Sequence, residues 1–347
     1  MGDKYLSIAL NRHVERIRLR LTSSLQVEFA DREQALRRME EWADRGMGVV
    51  EVVFGPEGCG KTAWLRQSAV LLKELGYHVI YVDPLNTYFE AYTDVKEVAK
   101  RLAEAAAEVL GEAKVKLASL AIVLAKELIR RRRGKVAVLA DDVFQAIGLS
   151  EAVAYVKALL NLIEYPPASY ERVVAVIATS EGVTKREIGR HRWAYLTPMW
   201  NMPREGFRQL FDQIPGEKPL FEEVWKITGG NPKLLGELYE AGWDVNRVVG
   251  RLIKGRGLVP GFIDKWRPWL KKAVEDPDVL WSPEAPMQLI EELEAKNLIM
   301  YFLPERDPWF WAGEVPPEKD LELGIGSRVA WQTPLHREAV RRALEGT

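Results

Sequence analysis

Short apolar runs without polar alternation recur through the first two hundred residues. Gly48 to Phe54, Tyr77 to Val82, Val136 to Ala140 and Val173 to Ala178 are rich in Val, Ile and Ala. Runs of this length predict strands buried on both faces. Helical spacing separates them. Asp31-Arg32-Glu33 opens a helix to about Arg45, with acidic residues in its first turn and Leu36, Met39 and Trp42 spaced for one buried face. Thr62 to Leu75 follows the first run, and Thr93 to Arg133 reads as two helices broken near Gly111. Strands alternating with helices predict an α/β fold around a central parallel sheet. Ser7 to Leu21 is expected as a short helix, Leu25 to Phe29 as an extended lead-in, and Trp193 to Leu196 as a further short strand.

The second half changes character. Met202 to Ile214 and Phe221 to Ile227 predict helices, and past Gly257 the composition shifts toward Pro and Trp. There Phe262 to Val274 and Pro286 to Ala295 predict helices and Asn297 to Phe302 a strand. A loop rich in Pro and Trp runs to Gly326, then come a second strand over Ser327 to Trp331 and a closing helix over Pro334 to Leu344. Three units are expected: 1–197, 198–257 and 258–347.

Composition narrows the class. The chain has 347 residues, 47% hydrophobic and 29% charged, and 49 Lys+Arg against 50 Asp+Glu leave a net charge of -1. No global basic field points to nucleic acid, so any such contact has to be local. A single cysteine, Cys59, excludes an intramolecular disulfide and suits a reducing cytoplasm. No apolar run reaches the length of a membrane span, and the first twenty residues lack a signal-peptide core. The scarcity of Asn, Gln and Cys beside abundant Glu, Arg and Lys resembles thermophile composition. The run Arg130-Arg131-Arg132-Arg133 closes a helix, where cations complement the dipole; a solvated cap is favoured over a nucleic-acid or acidic-partner patch.

The chemistry concentrates in Gly55-Pro56-Glu57-Gly58-Cys59-Gly60-Lys61-Thr62, a full G-x-x-x-x-G-K-T loop between a strand and a helix. Glycines let successive backbone N–H groups turn inward on a phosphate, Lys61 adds a mobile charge for the β- and γ-phosphates, and the Thr62 hydroxyl can ligate Mg²⁺. Ala63 continues the helix N-terminus beneath the phosphates. A second motif, Val136 to Asp142, carries two carboxylates at the end of a buried strand, where ligands bind in open α/β sheets. Asp141 is expected in the Mg²⁺ shell and Asp142 to polarise water. Thr179 or Ser180, at the next strand tip, is a candidate sensor of the γ-phosphate, against a simple strand cap. Arg186, Arg190 and Arg192, before the following strand, are candidates for an arginine finger in cis or across a subunit boundary, and the sequence does not choose among them.

The order Asp31-Arg32-Glu33, GPEGCGKT, VLADDVF, IATSE, LTPMW and TGGNP resembles the STAND branch of AAA+-related P-loop ATPases, and within it the archaeal ATPase family. The likeness covers nearly the whole chain. It implies ATP or ADP with Mg²⁺ as ligands, Arg32 in the lead-in beside the adenine, and a helical lid whose G-x-P motif falls on Gly230-Asn231-Pro232, with Pro232 near the adenine. It further implies a C-terminal winged helix. Asp142 stands where many active relatives carry glutamate, which implies slow turnover.

The resulting expectation is an Mg²⁺-dependent ATPase that works as a nucleotide-controlled conformational switch, partnered by another protein or by itself. An ATP-gated DNA-binding initiator is the alternative; the helix over Pro286 to Ala295, placed to read a groove, is acidic, which disfavours it. A small-molecule kinase fits the loop alone and lacks an acceptor pocket. Trp309, Phe310 and Trp311 are expected to plug the wing against the lid, in preference to anchoring a partner.

Overall fold

The computed structural model describes residues 14–86, 88–107, 113–180, 188–189 and 192–346. Its centre is a six-stranded sheet formed by β3 (Val50–Phe54), β4 (His78–Asp83), β5 (Tyr88–Tyr92), β6 (Lys135–Asp141), β7 (Arg172–Thr179) and β8 (Ala194–Pro198). Two short strands, β1 (Arg18–Arg20) and β2 (Gln26–Glu28), precede them. The sheet order is β5-β4-β6-β7-β3-β8. Five strands are parallel and β5 alone runs antiparallel, so the sheet is mixed where a parallel one was expected. The reason is local. Asp83 accepts from the backbone N–H of Asn86 at 3.1 Å and from its side-chain amide at 2.7 Å, turning the chain back within a few residues. Only an antiparallel neighbour can be reached by so short a connection.

Period-two alternation divides the sheet's faces. Val136, Val138 and Ala140 pack with α4 (Ala113–Arg130) and α6 (Leu149–Glu164), whereas Ala137 and Leu139 pack with α1 (Glu33–Arg45) and α2 (Lys61–Glu74). The first layer also holds α3 (Lys96–Ala107) and α5 (Val143–Ile147). The break expected near Gly111 falls between α3 and α4, outside the described residues. In the arginine run, Arg131 pairs with Glu127 at 2.5 Å and Arg133 with Asp94 at 3.0 Å.

The remaining helices are α7 (Arg204–Asp212), α8 (Phe221–Thr228), α9 (Pro232–Glu240), α10 (Val245–Gly255), α11 (Pro260–Glu275), α12 (Met287–Ala295) and α13 (Pro334–Glu345). Between α12 and α13, β9 (Ile299–Tyr301) pairs antiparallel with β10 (Val329–Trp331). One hydrophobic core runs through all of them, from Met202 and Phe207 to Leu335 and Leu344. Among the described residues, no helix is long and apolar enough to cross a membrane.

Two segments differ from the sequence reading. Residues 18–20 are extended, not helical, and pair with β2 as a hairpin with Leu19 opposite Val27; residues 7–13 of the expected helix lie outside the described residues. The hairpin forms because long-range partners satisfy its edges: Gln213, just past α7, exchanges hydrogen bonds with Glu28 at 2.7 and 3.1 Å, and Gln67 of α2 holds Ile17 and Glu15 at 3.0 and 2.9 Å. The aromatic trio also divides. Trp311 is buried among Trp200, Met300 and Leu303, with Trp225 of α8 at the edge. Trp309 and Phe310 remain exposed, and Arg38 of α1 stacks on Trp309 at 5.3 Å.

Candidate functional site

Parallel strands deliver their C-terminal ends to one rim. The loop 55–60 follows β3, Asp83 ends β4, Asp141 ends β6 and Thr179 ends β7. Gly60, at φ 102°, leads straight into α2, whose first residue is Lys61. No side chain caps this N-terminus, so its backbone donors face the loop. The Lys61 ammonium is buried and donates to the carbonyls of Gly55 at 3.0 Å and Pro56 at 2.9 Å. Cys59 is fully buried, its Sγ 3.6 Å from Lys61 Nζ, and fills space beneath the loop.

Asp141 is 1% exposed. The Thr62 hydroxyl hydrogen-bonds to it, and the Tyr81 hydroxyl donates to its Oδ2 at 2.9 Å. Burial first, then the charges of Asp142 and Asp83, push the Asp141 carboxyl up to about 7. The same burial raises Asp142, while Lys61 draws it back down and Ser180 donates to its Oδ1 at 3.5 Å. Asp142 has φ 44°, a left-handed conformation that turns its side chain out of the strand's alternation toward Lys61 and Ser180. Three carboxylates and a hydroxyl thus share one rim. The donors are all hard oxygens, and burial raises both Asp141 and Asp142, which a divalent cation would relieve. The described residues hold no group of three or more His, Cys, Asp or Glu side chains arranged to bind a metal alone. Mg²⁺ typically takes one or two protein ligands and completes its shell with phosphates and water.

A cavity of about 890 Å³ opens over the loop. Glu57 to Ala63, Asp142 and Ser180 line its polar end. Phe29, Ala30, Met202, Leu210 and Pro232 form an apolar wall, and Arg18, Leu19 and Arg20 of the hairpin close one side. Arg32 also lines it, with its guanidinium held by the carbonyls of Cys59 and, at 3.0 Å, Trp200. Pro232 reaches the loop from the other side: a Cβ on Gly60 would lie 3.9 Å from its Cγ.

The loop is also bound from the second half of the chain. Glu57 pairs with Lys233 and, at 2.6 Å, with Arg256. Its N–H donates to the Gln332 side chain at 2.9 Å, and its carbonyl accepts from Asn231 at 2.9 Å. Gly58, at φ 78°, has no room for a side chain, because a Cβ there would come within 2.3 Å of Lys233 Cβ.

The structure therefore gathers the loop, Ala63, Arg32, Asp141, Asp142, Ser180 and Pro232. Thr179 is buried at the tip of β7 without lining the cavity. Arg192 is exposed and does not line it, and Arg186 and Arg190 lie outside the described residues. Sequence reasoning missed Tyr81, Asp83, Lys233, Arg256 and Gln332. For Tyr81 and Asp83 a signal existed: along β4 they share parity with Val79, on the face that meets α2, where Thr62 sits.

A family described as an ATPase domain predominantly from Archaea matches residues 29–238, which span the loop, both strand-end carboxylates and the Gly-Gly-Asn-Pro turn. The chain belongs to this family. It is a P-loop ATPase domain of this family with a mixed, mostly parallel sheet. A search of curated proteins finds no match to this ATPase. Among solved structures it is similar to the ORC2 protein of Aeropyrum pernix in ADPNP and ADP complexes, at 12% identity and TM-score 0.41 over 94% of this chain and 98% of that one. The ORC1 protein of the same organism in complex with DNA gives 18% and 0.37, over 94% of each chain. A RuvB mutant of Thermotoga maritima gives 14% and 0.42, over 79% and 90%.

Proposed function

We propose that this ATPase domain binds ATP with Mg²⁺, hydrolyses it slowly, and uses the bound nucleotide to set the position of residues 198–347 on a core of residues 1–197. In this reading α7 to α10 form a helical lid over 198–257, and α11 to α13 with the β9–β10 ribbon form a winged helix over 258–347. The observation that carries it is the sharing of Glu57. A residue inside the phosphate loop is held at its side chain by Lys233 and Arg256, at its N–H by Gln332 and at its carbonyl by Asn231. Any rearrangement of the loop around phosphates acts directly on those four contacts.

Each residue's part follows from its place. The loop amides and Lys61 receive the β- and γ-phosphates, with the ammonium leaving the Gly55 and Pro56 carbonyls for a stronger anionic acceptor. Mg²⁺, when bound, neutralises phosphate charge, and Thr62 and Asp141 would hold it. Asp142, kept on the rim by Ser180, orients a water and accepts its proton; its side chain is one methylene shorter than glutamate, which favours slow turnover. Phe29, Ala30, Met202, Leu210 and Pro232 offer a flat apolar slot for adenine, and 890 Å³ is ample for a nucleotide.

Duplex DNA is a poor ligand in this reading. Helix α12 presents Glu291 and Glu292, and Glu292 is paired with Lys265 at 3.0 Å. The test of the switch is a distance measurement between labels on α6 and α13, in ADP and in a non-hydrolysable ATP analogue. Different distributions support it, and identical ones leave an ATPase without a switch.

A further inference from the structure

We infer that Tyr81 is a positioning residue for the metal-binding carboxylate: its hydroxyl fixes Asp141 Oδ2 and so presents the other oxygen, with the Thr62 hydroxyl, to the Mg²⁺ of a bound nucleotide. The inference rests on the ATPase reading above and adds to it a residue outside the phosphate loop and the carboxylate motif.

The geometry begins with parity. Strands β4 and β6 are parallel neighbours with Tyr81 opposite Leu139. Tyr81 and Leu139 both face α2, and so does Asp141, two residues beyond Leu139. A side chain as long as tyrosine can then span the offset between the strands, and its hydroxyl meets Asp141 Oδ2 at 2.9 Å. The ring cannot drift. It is fully buried, and Tyr88 of β5 packs against it edge-on at 5.9 Å. Tyr88 is held in turn by Glu90 and by Arg66, whose Nη2 donates to the Tyr88 hydroxyl at 3.0 Å. Arg66 lies one helical turn beyond Thr62, so the support for Tyr81 returns to the helix that supplies the metal-binding hydroxyl.

Such support answers a particular problem. Asp141 lies beside Asp142 and near Asp83, and repulsion would turn a free carboxylate away from both. With Oδ2 fixed, rotation of the carboxylate is stopped. Removal of one partner behind a metal ligand typically costs about 10- to 100-fold in metal affinity.

The test uses the full chain and a fluorescent ATP analogue titrated in EDTA and over a range of MgCl₂ concentrations. Tyr81→Phe keeps the ring and its contact with Tyr88. The expected result is unchanged affinity in EDTA with an Mg²⁺ midpoint raised roughly tenfold or more. Val79→Ala, on the same strand face and equally buried, removes packing alone and is expected to leave the midpoint in place. In an Asp141→Asn background, Tyr81→Phe should add no further shift, because its effect passes through that carboxylate. An unshifted midpoint, or equal loss with and without Mg²⁺, overturns the role of Tyr81 and leaves the ATPase reading intact. Wild-type affinity that ignores Mg²⁺ overturns both.

Discussion

The Asn231 side-chain amide donates to the Glu57 carbonyl at 2.9 Å, joining the Gly-Gly-Asn-Pro turn to the phosphate loop. The same amide donates to Asn201 Oδ1 at 2.9 Å, and Asn201 donates to the Gln332 carbonyl at 2.8 Å. Asn231 also caps α9 by accepting from Leu234 N–H at 3.1 Å. One buried amide therefore starts a helix and clasps the loop. The turn before it is tightly seated: Gly230, at φ 80°, lies where a Cβ would come within 2.2 Å of the Met202 carbonyl. The two sides of this turn share one hydrophobic cluster, so in the proposed switch they would move together.

The clasp is expected to be measurable through Glu57 and Arg256. Both side chains are largely buried, so a double-mutant cycle with Glu57→Ala and Arg256→Ala should give a coupling of roughly 1–3 kcal/mol in urea unfolding. Additive effects would show that the pair is incidental. Burial alone would raise the Glu57 carboxyl, but Lys233 and Arg256 hold it down at about 2, against 4.5 ordinarily. A depressed acid contributes stability that is complete above 4.5 and lost as pH falls toward 2, so the cycle should read the same at pH 6 and pH 8.

Lys61→Ala is expected to weaken triphosphate binding about 10- to 100-fold, the equivalent of one or two charge-assisted hydrogen bonds. The residue contributes the one ammonium of the loop, and Lys233 is already engaged by Glu57. Calorimetric titration reads the outcome. Unchanged affinity would remove the loop from the binding site.

The two rim carboxylates should separate. Asp142→Asn is expected to keep Mg²⁺-dependent nucleotide binding and slow hydrolysis by about 10²- to 10⁴-fold, as for loss of a proton acceptor. Asp141→Asn should raise the Mg²⁺ concentration needed for binding as well. Equal Mg²⁺ dependence of the two variants, followed by phosphate release and nucleotide fluorescence, would mean that the roles are assigned wrongly.

Glu51 supplies a pH test away from the metal-binding rim. It sits in β3, 8% exposed, and burial pushes its carboxyl up to about 7 although Thr197 donates to it at 2.8 Å and Arg38 attracts it. Between 4.5 and 7 the folded chain holds a proton that the unfolded chain has released, so stability falls as pH rises through that window. The Glu51→Gln variant keeps an acceptor for Thr197 and should lose this slope, gaining on the order of 3 kcal/mol over wild type between pH 5 and pH 8. Urea melts at the two pH values decide it; parallel shifts in both proteins would refute the claim.

The sequence by itself determined the elements whose rules are local. Apolar runs such as Val136 to Ala140 can only be strands covered on both faces, and a Gly-rich loop with Lys61 and Thr62 between a strand and a helix has one known use. The carboxylates at the end of β6 follow from the same parallel order, because every strand end reaches one rim. Even the late elements, α11 to α13 with β9 and β10, were legible from periodicity and from Pro and Gly punctuation. Tertiary structure alone decided what closes the site. The hairpin of Arg18 to Glu28 carries too few residues for a period to show, and it is extended because Gln213 and Gln67 complete its hydrogen bonds. Glu57 meets Lys233 and Arg256 across 176 and 199 residues of chain. No local pattern encodes such a contact; it appears only after two hydrophobic cores have formed and been brought together, when a buried carboxylate needs the nearest cations.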